Sequence, residues 1–385
     1  MLSYMSRLRC LTKSNLLRKK WSLSQRKSLS SEQSQSAPDR FSFFKNEMND
    51  LNTFYPLIAE DLTNLISQYK EFPGLLEKFP VLIDYTVPSE DPYFLTTALI
   101  PLYTYKAVEE PDKLTRDNLR NACMMAWVYR ILEASQIIVD DIMDDSETRY
   151  NKPTWFKKPG VTMESAILDS HYLATGGYLL MMRRLADHPC CLQIVDLYME
   201  NMFMTFVTQY MDTQNVGVKE YVRLVPLVLN KALYIFDGSV RAGLYLANIK
   251  DPETHEAIKK YTVPMSRFYQ LTNDMNGVFQ DENKFQRHCP DILWGRNCWL
   301  VATALKLANP AQKKIIEEHY GNGKMESAMR VKEVYRELKL DEVHAERTEE
   351  FVKEMYDVVE KLPKRIPKQP FHVMVQQLAM NNLYS

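Results

Sequence analysis

The stretch NLRNACMMAWVYRILEASQIIVDDIMDD, residues 118–145, constrains this chain more than any other. Its apolar residues recur at helical spacing and leave almost no polar face. Such a helix is stable only when other elements cover it on all sides, so the pattern predicts a buried central helix. Carboxylates interrupt it in a line. Glu133, Gln136, Asp140 and Asp144 fall at i, i+3, i+7 and i+11, on one narrow face. Burying three unpaired carboxylates would cost both desolvation and mutual repulsion. The stripe is therefore expected to face water or a cation. Asp140 and Asp144 suit a hard cation such as Mg2+, which takes carboxylate oxygens and leaves positions for phosphate. The alternative is a solvated acidic helix end, which the macrodipole disfavours.

The rest of the chain repeats the helical period. LDSHYLATGGYLLMMRRLA, IVDLYMENMFMTFVTQYMD, YVRLVPLVLNKALYIFDGSV, EAIKKYTVPMSRFYQLTNDM and CWLVATALKLA read as further helices. Breaks fall at NKPTWFKKPG, DHPC, NIKDPET, RHCPD and ANP. No series of alternating β-branched runs appears. The expectation is a single all-α domain over residues 41–385. Residues 1–40 stand apart: the first 31 carry eight Lys/Arg, many Ser and no acid. That composition fits a mitochondrial transit peptide, with a disordered basic leader on a cytoplasmic protein as the alternative.

Bulk charge excludes some functions. A net charge of −1 leaves no nucleic-acid footprint. No apolar run reaches the roughly eighteen residues that suggest a membrane span. With 11 glycines the chain has neither a G-x-G-x-x-G nor a P-loop. The six cysteines show no C-x-x-C spacing and are expected to be reduced thiols.

NDMNGVFQD, residues 273–281, closes another apolar helix, and Asn273, Gly277 and Asp281 share one of its faces. With VDDIMDDSETRYNKPTWFKKPGV and the C-terminal WLVATALKLANPAQKKIIEEHYG, it resembles the farnesyl diphosphate synthase family of trans-isoprenyl diphosphate synthases. The resemblance runs from about residue 45 to about residue 380. It implies a helical bundle around a deep apolar cavity, in which two aspartate-rich helices bind a prenyl diphosphate through three Mg2+ ions, Mn2+ being a possible substitute. It also implies a homodimer. The implied metal ligands are Asp140, Asp141, Asp144, Asn273, Asp274 and Asp281. Arg149, Gln209, Lys231, Gln270, Arg287 and Arg296 are the implied diphosphate contacts. Ser135 and Gln136, five and four residues before the first motif, lie at the implied cavity floor.

Departures from the family decide the expected reaction. Its G-K-x-x-R loop falls on YFLTT, so Phe94 and Thr97 stand where Lys and Arg are expected. Tyr150 replaces a second arginine and Glu133 a glutamine. These changes weaken a second, isopentenyl diphosphate site and leave the allylic one. The second motif also resembles the N-D-x-x-[ST]-x-x-x-E of terpene cyclases. The sequence is therefore expected to encode a terpene synthase, a lyase similar to insect enzymes of this family. It would ionise a C15 farnesyl diphosphate and cyclise the cation to a sesquiterpene, with Asp140, Asp144 and Asn273 as the catalytic residues. Phe203, Phe206 and Tyr269 are candidates to face that cation, or are plain core. The alternatives are a farnesyl or geranyl diphosphate synthase, which is a transferase, and a non-catalytic partner of one.

Overall fold

The structure, a computed structural model, describes residues 44–67, 69, 71–88, 95–150, 152–214, 217–279 and 289–383. The chain passes through α1 (Lys45–Asn64), α2 (Pro73–Thr86) and α3 (Thr96–Val108) into α4 (Arg116–Met143). A two-stranded antiparallel ribbon follows, β1 (Thr148–Arg149) against β2 (Lys152–Pro153). Then come α5 (Met163–Arg184), α6 (Cys191–Thr213) and α7 (Val218–Val228). A 3-10 turn at Leu229–Ala232 and a π-turn at Tyr234–Gly238 lead into α8 (Ser239–Leu246) and α9 (Pro252–Phe279). The shorter α10 (Pro290–Trp294), α11 (Trp299–Leu307) and α12 (Pro310–His319) precede α13 (Met325–Glu337), α14 (Leu340–Glu360) and α15 (Lys368–Leu383). The expected all-α fold is what forms.

The central helix is α4. Thr115 starts it by accepting from Asn118 N at 3.3 Å, a conventional N-cap. Every residue from Ala122 to Ser135 is buried, because α1, α3, α5 and α8 surround it. By length and composition α4 could cross a membrane, but 83% of its most apolar window is buried inside the protein. It is a core helix. At its edge α8 and α3 approach so closely that a Cβ on Gly243 would lie 2.8 Å from the Pro101 carbonyl oxygen.

A second cluster fixes the C-terminal half. Met275 and Val278 of α9 pack with Ile292, Leu300, Val301, Val331 and Val334. Burying each such side chain stabilises the fold by about 1.5–3 kcal/mol. This cluster sets the last turns of α9 against α10 and the start of α11, and so positions the acidic residues there. The described cysteines are free and buried.

The structure turns Phe203 and Phe206 away from any interior cation, since Phe203 is 65% exposed. The inward face of α6 is taken by Leu197, Tyr198, Asn201, Thr205, Thr208 and Asp212. The helical period then sends Leu192, Met199, Phe203, Phe206 and Tyr210 to the opposite face as an exposed apolar stripe.

Candidate active site

The end of α4 is hydrogen-bonded to α6, to β1 and to the segment before α11. Asp140 accepts from Gln209 Nε2 of α6 at 3.1 Å and from Arg149 of β1 at 3.1 Å. The neighbouring Asp141 is 100° further round the helix. It is buried, and Arg149 grips its Oδ1 through Nε at 2.9 Å and a terminal nitrogen at 2.5 Å. Burial pushes the Asp141 carboxyl up to about 6 despite the opposing guanidinium. Asp141 therefore positions Arg149, while Asp140 lies half-exposed between Arg149 and Gln209.

Asp144 caps α4 at its C-terminus. Arg296 donates to its Oδ1 from Nε at 3.1 Å and from a terminal nitrogen, and to the Met143 carbonyl at 3.2 Å. Trp294 Nε1 donates to the Asp144 carbonyl at 3.1 Å. Together they satisfy helix-end carbonyls that have no partner within the helix. Burial, then repulsion from Asp140, pushes the Asp144 carboxyl up to about 6 against the pull of Arg296.

The facing wall carries its own charges. Lys231 donates to Asp212 Oδ2 at 2.7 Å, and Asn297 N donates to Asp212 Oδ1 at 3.0 Å. Burial alone would depress the Lys231 ammonium; the fields of Asp212, Asp274, Asp291 and Asp140 outweigh it and hold it above its ordinary value. Asp274 accepts from Gln270 Nε2 and from Trp299 N, each at 2.8 Å. Its carboxyl is pushed up to about 6, first by burial. Desolvation, and then the charge of Asp274, drives Asp291 well above the ordinary carboxylate range.

The sequence-derived residues thus divide. Asp140, Asp141, Arg149 and Gln209 form one group, Asp144 and Arg296 a second, Lys231 with Asp212 a third, and Gln270 with Asp274 a fourth. Asn273 is exposed on α9, and a Cβ added to Gly277 would meet nothing within 4 Å. Asp281 and Arg287 lie outside the described residues. Ser135 is buried and turns its hydroxyl to the Leu132 carbonyl at 2.7 Å, with Gln136 Nε2 3.4 Å from that hydroxyl. Among the described residues, no three His, Cys, Asp or Glu side chains converge as a metal-binding set. The cations Arg149, Arg296 and Lys231 hold the acids to separate partners. Sequence reasoning missed Asp291, Trp294 and Asn297. They follow a Cys-Pro break, and only tertiary packing brings them to α4 and α6.

On the acidic stripe of α4, Glu133 meets a cation of the protein itself and no water-filled cleft: it is buried, accepts from Arg130 at 2.8 Å and is hydrogen-bonded by the Thr97 hydroxyl. Arg130 is fully buried. Its Nε donates to the Val87 carbonyl at 2.8 Å and a terminal nitrogen to the Thr86 carbonyl at 3.1 Å, capping α2. The Tyr150 ring lies 5.6 Å from its guanidinium carbon. Three of the four replaced positions thus assemble around one internal cation; Phe94 lies outside the described residues.

Known proteins place this arrangement. A family model described as "Polyprenyl synthetase" matches residues 97–338. Farnesyl pyrophosphate synthase of Bos taurus is 29% identical over 87% of this chain and 96% of that protein. Farnesyl pyrophosphate synthase of Murgantia histrionica is 25% identical over 87% of this chain and 82% of its own length. Geranyl diphosphate synthase of Ips pini is 25% identical, covering 88% and 84%. The solved farnesyl diphosphate synthase of T. brucei with risedronate superposes with a TM-score of 0.77, at 21% identity, over 88% of this chain and 99% of that one; this likeness concerns the fold. These relatives overturn the terpene synthase expectation: they are named as synthases of prenyl diphosphates, and with them the lyase, cyclisation and sesquiterpene readings fall away. Side-chain changes at one anion site do not by themselves define another reaction.

Proposed function

We propose that this chain, which belongs to the polyprenyl synthetase family, is a prenyltransferase that condenses an allylic prenyl diphosphate with isopentenyl diphosphate. The relatives named farnesyl and geranyl diphosphate synthases support a 10- or 15-carbon product. The observation that carries the reading is the placing of Asp140 and Asp144 at the end of α4 against Gln209, Arg149 and Arg296.

Acids driven upward in pKa first by burial and then by one another suit a hard divalent cation, which relieves both their desolvation and their repulsion. Asp140 and Asp144 on one side and Asp274 and Asp291 on the other would hold such ions, Mg2+ foremost and three in number by the family resemblance. The bound ions would neutralise charge on the leaving diphosphate. Arg149, Lys231 and Arg296 are placed to bind its oxygens, Arg through paired donors and Lys as a point charge. Gln209 and Gln270 orient Asp140 and Asp274. The allylic C–O bond breaks with its electron pair leaving on diphosphate. The isopentenyl double bond then forms the new C–C bond, and a proton is lost.

Two further readings accompany this one. The apolar stripe Leu192–Met199–Phe203–Phe206–Tyr210 supports a homodimer, in which a second copy covers the same face in a two-fold arrangement. The basic, acid-free composition of the leader supports a mitochondrial destination. Incubation with geranyl diphosphate, isopentenyl diphosphate and Mg2+, with prenyl diphosphates resolved by mass, tests the catalytic reading.

A further inference from the structure

Each carbonyl from Asp140 to Asp144 at the end of α4 has a partner. Asp144 N donates to the Asp140 carbonyl at 2.9 Å, Asp145 N to that of Ile142 at 3.3 Å and Ser146 N to that of Asp141 at 2.9 Å. Asp145 makes this return in the left-handed region, at φ 48°. The carbonyls of Met143 and Asp144 are left to other elements. Arg296 takes the first at 3.2 Å and the Trp294 indole N–H takes the second at 3.1 Å. Between these two residues Gly295 is left-handed, at φ 69°, and so turns the chain where α10 ends. The support is fixed: Gly321 N donates to the Ile292 carbonyl at 2.8 Å, Gly323 N to that of Leu293 at 3.0 Å, and the Tyr221 hydroxyl to that of Gly295 at 3.0 Å. The Trp294 ring is nonetheless 45% exposed, which is unusual for so large an apolar side chain. Its two neighbours at the helix end differ in what an anion does to them. Arg296 uses Nε and a terminal nitrogen on Asp144, so a phosphate that takes this guanidinium by paired donors competes for the same N–H groups. Trp294 is neutral and has a single donor, so the same phosphate competes for it far less.

We propose that Trp294 is a positioning residue, which keeps the Asp144 peptide in place when Arg296 turns from Asp144 to a bound diphosphate. The assignment rests on the transferase reading above, in which Asp144 holds a cation and Arg296 binds diphosphate oxygens. Once Arg296 is drawn away, the indole N–H is the remaining side-chain donor on the last carbonyl of α4. The helix end then stays formed, and the Asp144 carboxylate stays aimed at the cleft with its guanidinium partner gone. Without that donor the Asp144 carbonyl is left unpartnered whenever Arg296 leaves. Binding of diphosphate then carries the cost of ordering the helix end.

Calorimetric titration of full-length protein with sodium diphosphate in the presence of Mg2+ reads this role without turnover. Trp294→Phe keeps a ring and removes the donor. It is expected to weaken diphosphate binding about tenfold, while circular dichroism and the melting temperature stay unchanged. In the condensation assay the KM for geranyl diphosphate should rise about tenfold, with kcat and the KM for isopentenyl diphosphate unaltered. The indole 1H–15N resonance of Trp294, assigned by its loss in Trp294→Phe, should stay protected from solvent exchange when Mg2+ and diphosphate are bound. A folded Trp294→Phe protein that titrates as the unaltered one does overturns the proposal. So does an indole N–H that exchanges freely once diphosphate is bound, a result read on the unaltered protein and independent of how the variant folds. Absence of condensation in every sample sinks the transferase reading and leaves the titration and the resonance to decide the role of Trp294.

Discussion

Arg296 holds Asp144 through two guanidinium nitrogens, joining the C-cap of α4 to the turn before α11 across 152 positions of sequence. Asp144 is thereby both the cap of the central helix and a member of the acidic cleft. Asp144→Asn keeps the shape and an acceptor oxygen but removes the charge. It should lower kcat/KM for condensation by about a thousandfold. Circular dichroism should show the helical content unchanged; turnover within a few-fold of the unaltered protein would refute the assignment.

The buried Arg130–Glu133 pair invites a stability test. Glu133→Leu leaves a fully buried guanidinium without its counter-ion and is expected to cost about 3–5 kcal/mol in urea unfolding. Arg130→Met combined with Glu133→Leu should recover most of that loss. Additive losses in the double variant would show that the pair is not coupled as described.

His344 gives the fold an acid-sensitive point. Burial holds its pKa down to about 4, and Nε2 has no hydrogen-bond partner among the described residues. The unfolded chain takes up the proton near 6.5, so it binds more protons than the folded one between those values. Stability is thus full above about pH 6.5 and falls as pH drops towards 4, by about 3 kcal/mol at most. His344→Phe, which suits the Phe268 and Phe351 stack beside it, should flatten that slope in unfolding experiments from pH 7 to 4.5. An unchanged slope would place the sensitivity elsewhere.

Gly277 lies within α9 with open space where its side chain would be. Gly277→Ala should therefore raise stability by about 0.5–1 kcal/mol through helix propensity alone. A lower melting temperature would mean that something occupies the space.

The stripe on α6 predicts the oligomeric state. Phe203→Glu with Tyr210→Glu should convert a dimer to a monomer in sedimentation velocity. A monomeric unaltered protein would remove the stripe's role.

How far the sequence carried this account depended on whether a feature was local. α4 was readable because its apolar residues run all round it, a pattern that demands burial. The inward alignment of Asp140 and Asp144 was readable from spacing, but Asp141 and its grip on Arg149 needed the ribbon to fold back. Glu133 has its cation in Arg130, three residues earlier on the same helix, a pairing that the i, i+3 spacing alone allows. Phe203 and Phe206 were misplaced because helical periodicity fixes which residues share a face but not which face turns inward. Asp291 had no local signal; it joins the site only through the packing of α10 against the C-terminal cluster. The reaction itself was inferred from side chains lost at one site, and such losses do not specify what the remaining residues catalyse.

The most direct test is product analysis with geranyl diphosphate and Mg2+, with and without isopentenyl diphosphate. A longer prenyl diphosphate is expected to form only when isopentenyl diphosphate is present. Release of a hydrocarbon or alcohol from geranyl or farnesyl diphosphate alone, with no elongated diphosphate in either sample, would contradict it.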